Sequence, residues 1–86
     1  MLKINYTPFF IRAYDKLDKN LKTEIKEKIE LLKNINNHQT LKVHKLHGRL
    51  AKKYSFYINY KVRIVFEYID KNNVLLHALG DHDIYK

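Results

Sequence analysis

The sequence predicts an α+β fold in which two helices cover one face of a mostly antiparallel sheet and leave the other face open. Two patterns support this prediction. Between residues 10 and 35, apolar residues recur every three or four positions, as they do on the buried side of a helix. At residues 2–6, and again between residues 54 and 79, apolar and polar residues alternate, as they do along a half-buried strand. The predicted order is an N-terminal strand, an antiparallel helical hairpin and a three-stranded antiparallel sheet.

The first strand is predicted at residues 2–6, and the first helix follows it directly. Thr7 can cap the exposed N–H groups of that helix, and Pro8 suits its first position because proline lacks an N–H that would stay unbonded there. The helix is predicted to run to about residue 17. Its buried side should consist of Phe10, Ala13, Tyr14 and Leu17.

A second helix is predicted after the segment 18–20 (Asp-Lys-Asn), which interrupts the apolar pattern and can cap the new helix. The asparagine-rich segment 34–37 should end it. Because only a few residues connect the two helices, we expect them to lie antiparallel. The lysines at positions 22, 26 and 28 should decorate the side away from the core. The apolar stripe comprises Leu21, Ile25, Ile29, Leu32 and Ile35.

Three strands are predicted at residues 54–59, 62–69 and 74–79, with a turn at the polar segment 70–73. Residues 38–53 show no period and are predicted to form a basic loop or partial strand. Alternation assigns one set of side chains to the core beneath the helices: Phe56, Ile58, Ile64, Phe66, Leu76 and Ala78. The other set should point to the open face: Ser55, Tyr57, Arg63, Val65, Glu67, Leu75, His77 and Leu79.

Composition narrows the class of protein. The chain has 17 Lys and Arg residues against 9 Asp and Glu, a formal net charge of +8, so we expect nucleic acid or an acidic protein as a partner. Its 86 residues suit one domain over positions 1–86. The lack of cysteine excludes disulfides and thiolate metal sites. No signal peptide is visible, and no stretch has the roughly 20 apolar residues of a membrane span, so a cytoplasmic location without membrane contact is expected.

Several short segments, taken in order, resemble one protein family. K-L-H-G at residues 45–48, V-R-I-V-F at 62–66 and G-D-H at 80–82 resemble the RelE/ParE superfamily of bacterial toxins from toxin–antitoxin pairs. Within it, they resemble most the mRNA-cleaving branch that includes YafQ, YoeB and HigB-like proteins. The resemblance covers essentially the whole chain. It is strengthened in the first helix by Thr7, Pro8, Tyr14, Lys16 and Leu17.

The resemblance implies a function and a set of partners. It implies a metal-independent endoribonuclease, with no cofactor, that cuts mRNA in the ribosomal A site. It also implies a cognate acidic antitoxin that neutralises the toxin, and contact with operator DNA only through the antitoxin complex. Two alternatives stay open: a ParE-like gyrase inhibitor without enzymatic activity, and a catalytically weak RNA-binding member of the same fold.

The resemblance also implies catalytic roles for His82 and Arg63. His82 corresponds to the histidine that many of these toxins carry just after the last strand. Imidazole can protonate the leaving 5′-oxygen near neutral pH, so His82 is the candidate general acid. Arg63 matches the arginine of the family's R-L-V-Y strand, where a guanidinium can hold phosphate oxygens and stabilise the transition state. The structural alternative for Arg63 is an ion pair with Glu67.

The identity of the general base stays open at this point. His44 aligns with an active-site histidine of YafQ-type toxins. The same register places Tyr57 where YafQ carries a second catalytic histidine. A phenol, with a pKa of about 10, is a poor base at neutral pH. We therefore expect His44 or His47 to act as the base and Tyr57 to orient a group or stack on a nucleobase.

The remaining candidates are expected to bind RNA. Tyr85 can stack on an mRNA base, and His47 can contribute to the substrate site. His77 points to the open face without a family counterpart and is interpreted as structural. A zinc site at His44 and His47 would lack a nearby acidic or thiolate ligand, so no metal is expected. Phosphate contacts that confer affinity without sequence preference are predicted for Lys42, Lys45, Arg49, Lys52 and Lys53.

Overall fold

A computed structural model describes residues 1–81 and Ile84. Its order of elements confirms the predicted α+β fold. The strands are β1 (Lys3–Tyr6), β2 (His44–Lys45), β3 (Tyr54–Tyr57), β4 (Arg63–Asp70) and β5 (Asn73–Gly80). The helices are α1 (Pro8–Asp15) and α2 (Lys19–Leu32), and short 3₁₀ turns occupy Ile35–Asn37 and Gly48–Leu50.

The described strands form one five-stranded sheet in the order β1-β5-β4-β3-β2. Strand β1 pairs in parallel with β5, whereas the other neighbours are antiparallel. The sequence predicted four strands. The additional strand, β2, is only two residues long and exists because His44 pairs with Ser55 and Lys45 with Tyr54.

Local side chains fix both helix starts as predicted. The Thr7 hydroxyl accepts the Phe10 N–H at 3.1 Å, with Pro8 at the first helical turn. The same hydroxyl donates to the backbone carbonyl of His77 at 2.8 Å and so ties the start of α1 to β5. Asp18 caps α2 by accepting the Leu21 N–H at 2.8 Å. The helices therefore begin at positions set by short-range hydrogen bonds.

The helices cover one face of the sheet, where the core lies. Phe10 and the α2 residues Ile25, Ile29 and Leu32 are buried against that face. Two predicted details are wrong. Helix α1 ends at Asp15 rather than near residue 17, and Ile35 is 61% exposed because α2 ends at Leu32 and the chain turns into a 3₁₀ segment. The sheet contributes the buried residues Phe56, Ile58, Ile64, Phe66, Val74, Leu76 and Leu79.

A β-bulge in β5 corrects the predicted facing of two residues. Val65 pairs with Ala78 and Phe66 with Leu76, so His77 is an extra residue between two consecutive pairs. Beyond this bulge the alternation is reversed by one position. Leu79 therefore joins the core, where Ala78 was expected, and Ala78 pairs on the opposite face with Val65.

The face away from the helices is covered in part by the protein itself. Ser55 is completely buried and Val65 is 3% exposed, although both lie on this face. A Cβ added to Gly80 would lie 2.6 Å from the Cγ2 atom of Ile84. Ile84 therefore packs closely against Gly80, and glycine leaves the necessary room. Among the described residues, no helix is long and apolar enough to cross a membrane.

Candidate functional site

Arg63 occupies a fixed position at one end of the central strand. It is the first residue of β4 and pairs with Tyr57 of β3 on one side and with Gly80 of β5 on the other. Its side chain is half-buried, and its Nε atom is fully buried. The guanidinium carbon lies 4.7 Å from the centre of the Tyr57 ring, within the range of a cation–π contact. The backbone register and this ring together orient the guanidinium.

His44 reaches the same tyrosine from the edge strand β2. Its ring centre lies 5.8 Å from that of Tyr57, with the two planes 33° apart. His44 Nδ1 lies 3.1 Å from the Lys42 carbonyl, which can only accept, so Nδ1–H is the donor. In the neutral imidazole this leaves the lone pair on Nε2. Lys42 adopts a left-handed backbone conformation with φ 59°, uncommon for a residue with a Cβ.

A base and a fixed cation thus converge on one aromatic ring. Nε2 of neutral His44 can accept a proton, and Arg63 can donate hydrogen bonds to an anionic group. Tyr57 links the two, because both residues touch its ring. Tyr57 is 43% exposed and so can also meet a bound ligand. The arrangement suits acid–base chemistry on a phosphate ester.

A second polar cluster lies on the same face, further along β4. His77 and Glu67 form a hydrogen bond of 3.0 Å between Nε2 and Oε1, and the Lys53 ammonium lies 4.0 Å from the same oxygen. The predicted exposure of His77 to this face is confirmed by its contact with Glu67. These contacts join Glu67 to His77 and Lys53. This cluster ties β5 to β4 and to the start of β3.

Among known proteins, only solved structures match this chain. Neither protein-family models nor curated proteins match the chain. Solved structures do. A chain of the YoeB–YefM complex from Staphylococcus aureus has 23% identity and a TM-score of 0.76, over 95% of this chain and 98% of that chain. YafQ from E. coli strain BL21(DE3) has 16% identity and a TM-score of 0.76, over 99% and 98%. The toxin–antitoxin complex RelBE2 from Mycobacterium tuberculosis has 17% identity and a TM-score of 0.70, over 94% and 98%.

The chain has the same fold as these solved structures. The predicted resemblance is thereby confirmed for the fold. At these identities the RelE/ParE toxin fold does not by itself assign a role to any residue.

The other predicted site residues are distributed around this fold. His47, Arg49 and Lys52 are exposed in the loop between β2 and β3, which makes a 3₁₀ turn at Gly48–Leu50. Lys45 is exposed in β2, and strand alternation turns it to the face opposite His44. His82 and Tyr85 lie outside the described residues. The described residues contain no cluster of three His, Cys, Asp or Glu side chains that could hold a metal ion.

Sequence reasoning missed a buried histidine. His38 is 8% exposed, with Nε2 2.7 Å from the Leu32 carbonyl and Nδ1 2.6 Å from the Tyr68 hydroxyl. Because the carbonyl only accepts, Nε2–H donates to it and Nδ1 accepts the Tyr68 proton. Burial, and then the nearby Tyr54, raise the pKa of Tyr68. His38 is therefore a structural link from the end of α2 to β4.

Sequence reasoning also missed a cleft beside Arg63. It has a volume of about 470 Å³ and opens between α2, residues 40–42 and the β3–β4 hairpin. Lys28, Asn59 and Tyr60 line it together with Tyr57 and Arg63. The only sequence signal was an aromatic residue, Tyr60, in the polar N-Y-K segment between two strands.

Proposed function

We propose that this protein is the toxin of a toxin–antitoxin pair and an endoribonuclease that cleaves mRNA in the ribosomal A site. The observation that carries the proposal is the shared contact of Arg63 and His44 with the Tyr57 ring. The toxin fold and the net charge of +8 support it, since the first is the fold of YoeB and YafQ and the second favours a polyanionic substrate.

In the proposed reaction, His44 is the general base. Its Nδ1–H is held by the Lys42 carbonyl, so Nε2 is the nitrogen that takes the proton from the ribose 2′-hydroxyl. The resulting 2′-oxygen attacks the adjacent phosphorus. The bond from phosphorus to the 5′-oxygen of the next nucleotide then breaks, leaving a 2′,3′-cyclic phosphate and a 5′-hydroxyl.

Arg63 stabilises the charge that builds on the non-bridging phosphate oxygens during this step. Its guanidinium is held by the sheet and by Tyr57, so little reorganisation is needed at the moment of reaction. His82 is proposed to protonate the leaving 5′-oxygen, from its position in the sequence just after β5. A base, a cation and an acid supplied by side chains can complete this chemistry without a metal ion.

The proposed partner is an acidic antitoxin. YoeB occurs with YefM in the Staphylococcus aureus complex, and RelBE2 is a toxin–antitoxin complex. The excess of positive charge on this chain would attract an acidic, amphipathic segment that orders on binding. We propose that the antitoxin covers Arg63 and His82, and that operator DNA is reached only through the complex.

The test is cleavage of mRNA on programmed ribosomes and of free RNA by the purified protein, with and without a chelator. His44→Gln should slow single-turnover cleavage by about 10²–10⁴-fold. Arg63→Ala should cost about 10²–10³-fold. Because both act on one transition state, the double variant should lose less than the product of the two losses. His77→Gln is the matched control. It removes an imidazole from the same face of the sheet, but one that contacts Glu67 and not the Tyr57 ring.

The chemical ends of the RNA fragments test the mechanism, and an assay of gyrase tests the alternative function. Fragments with a 5′-hydroxyl and a cyclic phosphate, formed in the presence of chelator, are expected. Fragments with a 5′-phosphate, or loss of cleavage in chelator, would contradict the mechanism. A protein that leaves all RNA intact but blocks DNA supercoiling by gyrase would overturn the ribonuclease function.

A further inference from the structure

The cleft beside Arg63 has the charge of an anion site. Three of its lining residues are cationic: Lys28 from α2, Lys42 from the segment just before β2, and Arg63 from β4. None of the described residues that line it is acidic. Lys28 is half-buried. Because these cations come from three separate parts of the fold, a phosphate entering the cleft would meet positive charge from both of its walls.

The mouth of the same cleft carries an unusually exposed aromatic ring. Tyr60 is 92% exposed, the highest value among the exposed tyrosines of the described chain. Its backbone is nevertheless held firmly. The Asn59 side-chain oxygen accepts the N–H groups of Lys61 and Val62, each at 2.8 Å, and Ile58 N–H donates to the Val62 carbonyl at 2.8 Å. The hairpin therefore presents the ring from a defined backbone beside Arg63.

An exposed ring on a fixed backbone next to a cationic groove is the combination that single-stranded nucleic acid binders use. Cations bind the backbone phosphates, and the aromatic face stacks on a base whatever its identity. The cleft also includes Tyr57 and Arg63, so it is continuous with the proposed site of cleavage. A strand whose reacting phosphate lies at Arg63 can extend into it directly.

We propose that this cleft binds the nucleotide next to the cleaved phosphate, with its phosphate on Lys28 and Lys42 and its base stacked on Tyr60. The inference rests on the proposed ribonuclease function and assigns it a flanking subsite. Tyr60 and the two lysines are binding residues in this scheme. They should control affinity and not the chemical step.

The test uses a 2′-O-methyl oligoribonucleotide, which lacks the reacting hydroxyl, together with cleavage of mRNA on programmed ribosomes. Tyr60→Leu should weaken oligonucleotide binding by about 10-fold, whereas Tyr60→Trp should retain it. Lys28→Ala with Lys42→Ala should flatten the salt dependence by about 0.7 units of slope for each phosphate that is no longer neutralised. In cleavage, KM should rise with kcat little changed. Lys71→Ala, in the turn at the opposite end of β4, is the control.

The outcomes separate this inference from the function on which it rests. If the wild-type protein cleaves no RNA, the proposed function fails. If it cleaves RNA but Tyr60→Leu and the double lysine variant bind and cleave like the Lys71→Ala control, the subsite is overturned and the function stands. A loss of antitoxin binding with unchanged RNA binding in these variants would also overturn it, because the cleft would then serve a protein partner. A fall in kcat alone would contradict a binding role.

Discussion

Two substitutions at Tyr57 test whether His44 is the general base of the proposed reaction. Tyr57→Phe keeps the ring that contacts Arg63 at 4.7 Å and His44 at 5.8 Å, and removes only the hydroxyl. Tyr57→Leu removes both ring contacts. Because Tyr57 is 43% exposed, the cation–π contact should contribute about 0.5–1 kcal/mol. The aromatic pair should add about 0.5–1.5 kcal/mol.

These contacts matter for the rate only if they position His44 and Arg63 for the reaction. Their sum, about 1–2.5 kcal/mol, corresponds to a loss of about 5- to 70-fold in the single-turnover rate of Tyr57→Leu. Tyr57→Phe should stay close to the wild-type rate. The assay is cleavage at saturating protein, with thermal unfolding of each variant as the control for folding. A phenylalanine variant as slow as the leucine variant would show that the hydroxyl itself reacts, and would refute His44 as the sole base.

Three further predictions test the scaffold around the site. Gly80→Ala should reduce cleavage with little change in thermal unfolding, because its Cβ would lie 2.6 Å from Ile84 Cγ2 and displace Ile84, which is two residues in sequence from the proposed acid His82; a wild-type rate would contradict this. His38→Ala should lower the free energy of unfolding by about 2–4 kcal/mol in urea titrations, since the Leu32 carbonyl and the Tyr68 hydroxyl both lose a buried partner. Burial raises the pKa of Tyr68, so the folded state keeps a proton that the unfolded state loses, and stability should fall as pH rises above about 10. Urea titrations across that range should show a smaller decline for Tyr68→Phe than for wild type.

The parts of the fold that depend on neighbours in sequence could be predicted. The caps at Thr7 and Asp18 and the turn after β4 are formed by side chains within three residues of the groups they bond. The Asp70 carboxylate accepts the Asn73 side-chain amide and the Asn72 N–H, which also lower its pKa. Hydrogen bonds of this kind require particular residue types at particular spacings, so the sequence alone was sufficient to predict these caps and this turn.

The parts that depend on a partner strand could not be predicted. A bulge at His77 is visible only once β5 is paired with β4, and an alternation count cannot detect the extra residue. The alternation therefore assigned Ala78 to the core and Leu79 to the open face, which is the reverse of their positions in the structure. Strand β2 is too short to show a period, so its existence rests entirely on pairing with β3.

In the candidate site, too, some residues could be placed from local sequence and others only from strand pairing. Tyr57 and Arg63 belong to one hairpin, and a short connection with regular alternation is enough to place them on one face. His44 joins them only through the pairing of β2, in a segment without a period. Lys28 lies far from Tyr57 and Arg63 in sequence, on the polar side of α2. From sequence alone, a lysine that lines a cleft there cannot be distinguished from one that only keeps the protein soluble. Tyr57 and Arg63 are thus recognisable from local pattern, whereas the residues of the proposed flanking subsite become recognisable only when helix and hairpin are seen to form the two walls of one cleft.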